Sequence, residues 1–86
     1  MKVKAEKMKD LVKIGFEENT FHPNYVFETR SKKGTYVFIT VCKGSKIIEG
    51  LFSGVENIPM EKTALQHFCP ALFEQNFIEE ENNENV

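Results

Sequence analysis

The feature that most constrains the fold is a run of apolar residues at alternate positions between residues 25 and 52, interrupted twice by turn-forming residues. Such alternation is typical of strands that bury one face. The segment Lys32-Lys33-Gly34 suits a type I turn closed by a glycine bulge, and Gly44-Ser45 suits a two-residue type II′ turn. Because turns this short join antiparallel neighbours, the sequence predicts a β-meander.

The predicted meander has four strands. Apolar alternation or short apolar runs place them at residues 11–17, 25–30, 35–42 and 46–52. The polar segment 18–24, which contains Pro23, separates the first two strands as a loop. The segment before Leu11 admits two interpretations: Ala5, Met8, Leu11 and Val12 are spaced like a helix face, whereas Val3 could extend a strand. We leave residues 1–9 open between these two.

The turns also set the register, and a slip of one residue would exchange the two faces of the sheet. A three-residue loop at 32–34 places Ser31 opposite Thr35, and the pairing then continues along both strands. One side of the sheet, the inner face, is predicted to build the core and comprises Tyr25, Phe27, Val37, Ile39, Val41, Ile48 and Phe52. The other side, the outer face, comprises Val26, Glu28, Arg30, Tyr36, Phe38, Thr40, Cys42, Ile47, Glu49 and Leu51.

Helical spacing replaces alternation after Gly54. Pro59 suits the first position of a helix, where its missing N–H needs no partner. Pro70 then removes a backbone donor, so the helix is expected to kink or break there. The predicted fold is therefore α+β: one domain over residues 1–78, with a four-stranded antiparallel meander, open or curled into a partial barrel, followed by this helix. Residues 79–86, EEENNENV, are expected to form a disordered acidic tail.

The outer face contains Tyr36, Phe38 and Leu51, which together are too apolar to stay bare on a monomer without a reason. Three explanations compete. The first strand or the N-terminal segment covers the face, a second copy of the chain covers it, or it binds another partner. The candidate interface residues are Tyr36, Phe38, Leu51, Arg30 and Ile47.

Composition and charge place the chain in a general class. The 86 residues have a net charge of −2, yet residues 1–46 hold ten Lys or Arg against five Asp or Glu, whereas residues 47–86 hold one Lys against eight Glu. The lysine-rich N-terminus has no apolar segment behind it, so we expect no signal peptide, and no apolar run approaches the length of a membrane span. We expect a cytoplasmic protein whose two cysteines are buried thiols.

Nucleic-acid binding is an alternative that the hairpin raises. Lys33-Gly34 followed by aromatic residues resembles an RNA-recognition signature only after a shift of one residue, so that motif is rejected. Single-strand binding by Tyr36 and Phe38 stays open. Its candidate phosphate contacts, apart from Arg30, are Lys32, Lys33, Lys43 and Lys46. The sequence pI of about 5.7 argues against it.

No constellation in the sequence favours catalysis or a metal. His67 and Cys69 are two residues apart, which on a helix points them to different sides, and no second ligand pair accompanies them. A nucleophilic cysteine needs a nearby base and an electropositive setting, and Cys42 at a strand end before Lys43 is more often a buried small residue. We therefore predict no enzyme, no metal site and no cofactor.

The remaining class is recognition without chemistry. We predict a small non-enzymatic binding module that acts through a protein partner, and we expect a homodimer. A composition rich in Lys, Asn, Glu, Phe and Ile is typical of AT-rich microbial or phage genomes, so a phage or mobile-element accessory or inhibitor protein is the expected setting. The alternatives are a single-stranded nucleic-acid-binding protein and a homodimer that sequesters a small ligand.

Overall fold

A computed structural model of the chain describes residues 1–52 and 58–79. Seven strands, a 3₁₀ helix and two α-helices are found there. In chain order they are β1 (Lys2–Val3), the 3₁₀ helix (Ala5–Ile14), β2 (Glu17–Asn19), β3 (Asn24–Arg30), β4 (Tyr36–Cys42), β5 (Ile48–Phe52), β6 (Ile58–Pro59), α1 (Lys62–Phe68), α2 (Ala71–Glu74) and β7 (Ile78–Glu79).

The main sheet has the order β2-β3-β4-β5-β6, with each strand antiparallel to the next. The four-stranded antiparallel meander is confirmed in β2–β5, and the small α+β domain with it. The predicted register is also confirmed, because Phe27 pairs with Ile39 and Val41 pairs with Ile48. Within the described residues β2 and β6 lie at opposite edges, so the sheet is open rather than a closed barrel.

The hairpin between β3 and β4 has the predicted turn. Gly34 donates its N–H to the Ser31 carbonyl (3.0 Å), and Ser31 donates its own to the Thr35 carbonyl (2.9 Å). Gly34 has φ of 88°, the left-handed conformation that a glycine bulge requires. The Ser31 hydroxyl also accepts the Thr35 N–H (3.1 Å). These bonds fix the register in which β3 pairs with β4.

The turn type predicted for Gly44-Ser45 is wrong. A type II′ turn needs a positive φ at Gly44, but the left-handed residue is Lys46, with φ of 65°. Cys42 pairs with Ile47 through a bond from its N–H to the Ile47 carbonyl (3.2 Å), and Lys46 donates to the Cys42 carbonyl (2.8 Å). The connection is thus a four-residue loop, 43–46. This loop gives the same register as a two-residue turn, and the predicted pairing of β4 with β5 is therefore correct although the turn type is not.

The N-terminal segment is helical, so the predicted first strand at 11–17 is wrong, and β2 spans only Glu17–Asn19. Met8 and Leu11 are buried and Ile14 is half-buried, a spacing of three that matches the three residues per turn of a 3₁₀ helix. Gly15, with φ of 110°, ends the helix. Phe16 then donates to the Leu11 carbonyl (3.1 Å), as in a Schellman motif.

At the C-terminal side, Pro59 lies in β6 and not at the start of a helix, which begins at Lys62. A proline without an N–H is tolerated there because β6 is an edge strand. The predicted break near Pro70 is confirmed, since α1 ends at Phe68 and α2 starts at Ala71. Asn76, with φ of 63°, ends α2 much as Gly15 ends the 3₁₀ helix.

The core lies between the inner face of the sheet and the helical segments of both chain ends. Phe16 packs on Phe27 with their ring centroids 5.2 Å apart, and Phe52 packs on Phe68 at 6.2 Å. Phe27 and Phe52 are half-buried at the margin of this core. Its buried members are Val3, Met8, Leu11, Phe16, Tyr25, Val37, Ile39, Val41, Ile48, Met60, Leu65, Cys69, Leu72 and Phe77.

The first and last strands of the described residues meet beside β5. β1 pairs with β7, so that Val3 faces Ile78, and Lys2 forms an isolated bridge with Ile47. Residues 1–9 thus contain both a short strand and the start of the 3₁₀ helix. Of the predicted disordered tail, Glu79 pairs in β7, and residues 80–86 lie outside the described residues.

Candidate functional site

The outer face is the candidate interface, and it is open in the described structure. Five of its ten residues are exposed, the other five are half-buried, and none is buried. Of the three explanations for the apolar outer face, coverage by the N-terminal segment does not hold within the described residues. Met8 and Leu11 instead join the core on the inner side, because their spacing of three forms a helical stripe that packs against the inner-face residues.

Arg30, Tyr36 and Phe38 form a contiguous cluster on this face. Arg30 and Tyr36 are paired across β3 and β4, and the guanidinium lies 4.5 Å from the centre of the tyrosine ring. The same guanidinium donates a hydrogen bond from Nη2 to the Tyr36 hydroxyl. The Tyr36 and Phe38 rings are nearly parallel, with an interplanar angle of 16° and centroids 6.4 Å apart. A cation and two rings are therefore held together at the surface, with Tyr36 40% exposed.

The other two candidate interface residues, Leu51 and Ile47, lie in different parts of the outer face. Leu51 pairs with Phe38 across β4 and β5, so it extends the aromatic cluster by one strand. Ile47 precedes β5 at the far end of the sheet, where it bridges to Lys2 and stays 40% exposed. Four residues of extended chain place it about 13 Å from Leu51. The candidate interface is thus a cluster of four residues with Ile47 apart from it.

The four candidate phosphate-binding lysines do not come together. Lys32 and Lys33 are exposed in the β3–β4 hairpin, whereas Lys43 and Lys46 lie in the loop after β4. A seven-residue strand separates the two pairs by about 20 Å. Lys43 also has local partners: its ammonium forms an ion pair with Glu18 and lies 5.4 Å from the centre of the Tyr25 ring.

The two cysteines have opposite environments, and only one is the buried thiol that the sequence predicts. Cys69 is buried, and burial raises its thiol pKa. Cys42 is exposed because it ends β4 on the outer face. Hydrogen bonds from the Ser45 backbone, then from the Ser45 side chain and the Gly44 backbone, lower the pKa of Cys42. Its position in a tight loop thus favours the thiolate.

The two histidines lie on different elements. His22 is an exposed residue of the β2–β3 loop, and His67 is exposed near the end of α1, where its ring contacts Phe68 at a centroid distance of 4.9 Å.

Sequence reasoning missed Phe21, which is 91% exposed in the β2–β3 loop. The Asn19 side-chain oxygen accepts the backbone N–H groups of Phe21 (2.9 Å) and His22 (3.3 Å). The Pro23 carbonyl accepts the Lys43 N–H (2.8 Å), which ties this loop to the next hairpin. The available signal was a phenylalanine within an otherwise polar loop. A large apolar ring on such a supported loop is a second candidate contact residue.

No helix within residues 1–52 and 58–79 has both the length and the apolar character needed to cross a membrane. Comparison of the chain with protein-family models, with curated proteins and with solved structures finds no match.

Proposed function

We propose that this protein is a non-enzymatic binding module that acts as a homodimer and engages a protein partner through the outer face. One observation carries the proposal: Tyr36, Phe38 and Leu51 are neighbours on a sheet face that contains no buried residue. Contiguous exposed apolar patches are marks of interaction sites.

The chemistry of the cluster suits a protein partner. Aromatic residues and arginine contribute most to binding free energy at protein interfaces. The Arg30 side chain is already restrained by its contact with the Tyr36 ring and its bond to the tyrosine hydroxyl. A restrained side chain loses less conformational entropy on binding, so the cluster is prepared for contact. Composition leads us to place the protein in the cytoplasm as a phage or mobile-element accessory or inhibitor protein.

The test is recovery of a partner with the tagged protein from its host, compared between the native chain and a Tyr36→Ser/Phe38→Ser variant. The matched control is Val12→Ser, which changes an apolar residue that is 50% exposed on the 3₁₀ helix, away from the outer face. We expect the native chain and the control to recover the same partner and the double variant to lose it. Chemical shift changes in the labelled protein on adding that partner should then centre on β4.

Two results would contradict the proposal. Recovery of the same partner by the Tyr36→Ser/Phe38→Ser variant would exclude the outer face as the contact surface. Light scattering that gives a monomer mass at every protein concentration would exclude the homodimer.

A second candidate function is binding of single-stranded nucleic acid by the same cluster. The near-parallel Tyr36 and Phe38 rings beside Arg30 favour it, because exposed rings stack on bases of any sequence. The wide separation of the lysine pairs limits the phosphate contacts that any short strand can make. Affinity for oligonucleotides that falls with salt, and falls further in Lys32→Glu/Lys33→Glu, would support this function. Absence of binding at low salt would reject it.

A further inference from the structure

The outer side of β3 is only partly covered by β2. The pairing runs from Asn19 with Asn24 to Glu17 with Val26 and stops there. β3 continues to Arg30, so its last four residues have β4 on one side and no paired strand of the described residues on the other. Unpaired stretches of this kind are available to an added strand.

The hairpin fixes which backbone groups point to this open side. Because Ser31 bonds to Thr35, the odd-numbered residues of β3 bond to β4, and the alternation of an antiparallel ladder directs the even-numbered ones outward. The outward groups of Asn24 and Val26 face β2. Those of Glu28 and Arg30 therefore lie on the open edge, and both residues are exposed.

We infer that two copies of the chain pair edge to edge through Glu28–Arg30, antiparallel about a two-fold axis at Thr29, with Glu28 of each copy opposite Arg30 of the other. Both residues carry outward backbone groups, so each pair is a hydrogen-bonded one, and the two pairs supply four backbone hydrogen bonds. This inference rests on the homodimer of the proposed function and specifies how it forms.

The charges of Glu28 and Arg30 favour an axis at Thr29 over an axis at either of the adjacent residues. An axis at Glu28 would place the two Glu28 carboxylates opposite each other, and an axis at Arg30 would do the same for the two guanidinium groups. Like charges directly opposite destabilise a pair of strands, whereas opposite charges stabilise it. An axis at Thr29 is the arrangement that matches both residues at once.

The next positions along the edge agree with this choice. In the proposed register Lys32 of one copy comes level with Val26 of the other, beside which Glu17 lies in β2. Lys32 and Glu17 are both exposed, so the hairpin of one copy brings a cation to an acidic strand end of the other. The same strand end limits the paired stretch to a few residues. We therefore expect a weak dimer that dissociates as salt is added.

Edge pairing engages Glu28 and Arg30 of each outer face and leaves Tyr36, Phe38 and Leu51 uncovered. Tyr36 lies one strand in from the edge, directly beside Arg30. The two aromatic clusters of the dimer would then lie on the same side of one continuous sheet, close to the two-fold axis. A partner would meet a surface twice the size of the one that a single chain presents.

The inference is tested by mixing two charge variants of the full chain, Glu28→Arg and Arg30→Glu, in sedimentation velocity. Each variant alone places like charges opposite each other twice, so its dimer should weaken roughly tenfold or more. Mixed in equal amounts, the two restore both opposite-charge pairs, and the heterodimer should form at least as tightly as the native dimer. Lys9→Glu is the control for a change of net charge at an exposed site on the 3₁₀ helix, and its dimer should match the native one.

Amide exchange distinguishes edge pairing from other dimers. The Glu28 and Arg30 amides should exchange rapidly in dilute protein and become protected as concentration rises. The Thr29 amide, bonded to β4, should be protected throughout. This inference would be overturned if a dimer formed while the Glu28 and Arg30 amides stayed unprotected and both charge variants dimerised as the native chain does. That result would leave the homodimer of the proposed function intact. A monomer at all concentrations would overturn both.

Discussion

Gly15 lies against the ring of Phe27, so closely that a Cβ atom at position 15 would come within 2.9 Å of the ring. Gly15 ends the 3₁₀ helix with a left-handed φ of 110°, and the chain then passes into β2 through Phe16, whose ring packs on the same phenylalanine.

We predict that Gly15→Ala lowers the free energy of unfolding by about 1–3 kcal/mol, because it adds both a left-handed alanine and a contact with Phe27. The matched control is Gly34→Ala, where φ is 88° and no atom of residues 1–52 and 58–79 lies within 4 Å of the added Cβ. That variant should lose only about 1 kcal/mol. Urea denaturation measures both. Equal losses would show that the Phe27 contact adds nothing to the backbone effect.

The loop after β4 gives a prediction of opposite sign. Gly44 lies outside the left-handed region, and no described part of the chain comes within 4 Å of its Cβ position, so Gly44→Ala should raise stability by about 0.4–1 kcal/mol. Lys46 is the left-handed residue, and Lys46→Gly should keep stability or raise it by up to about 1 kcal/mol. Thermal unfolding of both variants decides between turn types. Loss of stability in Gly44→Ala would restore the type II′ turn.

The two thiols should differ in their reaction with iodoacetamide. The thiolate is the reactive form, and hydrogen bonds from Ser45 lower the pKa of Cys42. Its alkylation rate should therefore reach half its maximum at a lower pH than for an unperturbed cysteine. Cys69, buried and with a raised pKa, should react only after unfolding. Mass spectrometry of the labelled peptides gives both rates.

Ser45→Ala should move the pH profile of Cys42 upward, but only in part, because the backbone bonds from Ser45 and Gly44 remain. Ser31→Ala changes a serine in the other hairpin and should leave the profile unchanged. A Cys42 profile that ignores Ser45→Ala would contradict the contribution of that hydroxyl.

The β2–β3 loop depends on one side chain. Asn19→Ala removes the oxygen that accepts the Phe21 and His22 N–H groups. We expect the free energy of unfolding to fall by about 1 kcal/mol only, because both groups lie near solvent and can bond to water. Amide exchange at Phe21 and His22 should accelerate in the same variant. Unchanged exchange at both residues would show that Asn19 does not order the loop.

Truncation of two phenylalanines five positions apart should change the free energy of unfolding by very different amounts. Phe16 is 2% exposed, and Phe16→Ala should cost about 3–5 kcal/mol of stability. Phe21 is 91% exposed, so Phe21→Ala should stay within about 0.5 kcal/mol of the native chain. Calorimetry measures the pair. If Phe21 contacts a partner, its truncation should weaken that binding without a change in stability.

The strand pairing was predictable from the sequence because it depends on local chemistry. The Lys32-Lys33-Gly34 turn and the alternation in 35–42 act within a few residues, and they fix which side chains share each face of the sheet. The break at Pro70 has an equally local cause, the missing N–H. The aromatic cluster of the outer face follows from the same register, and so it too was predicted.

Tertiary structure decided between alternatives that the sequence patterns fit equally well. Residues 11–17 alternate as a strand would, but Met8, Leu11 and Ile14 also recur every third residue, and only the core they enter selects the helix. Pro59 suits a helix start or an edge strand, and the neighbouring β5 selects the strand. Whether the N-terminal segment covers the inner or the outer face depends on contacts between residues far apart in the chain. The sequence determined the faces of the sheet, and long-range packing determined which of them is covered.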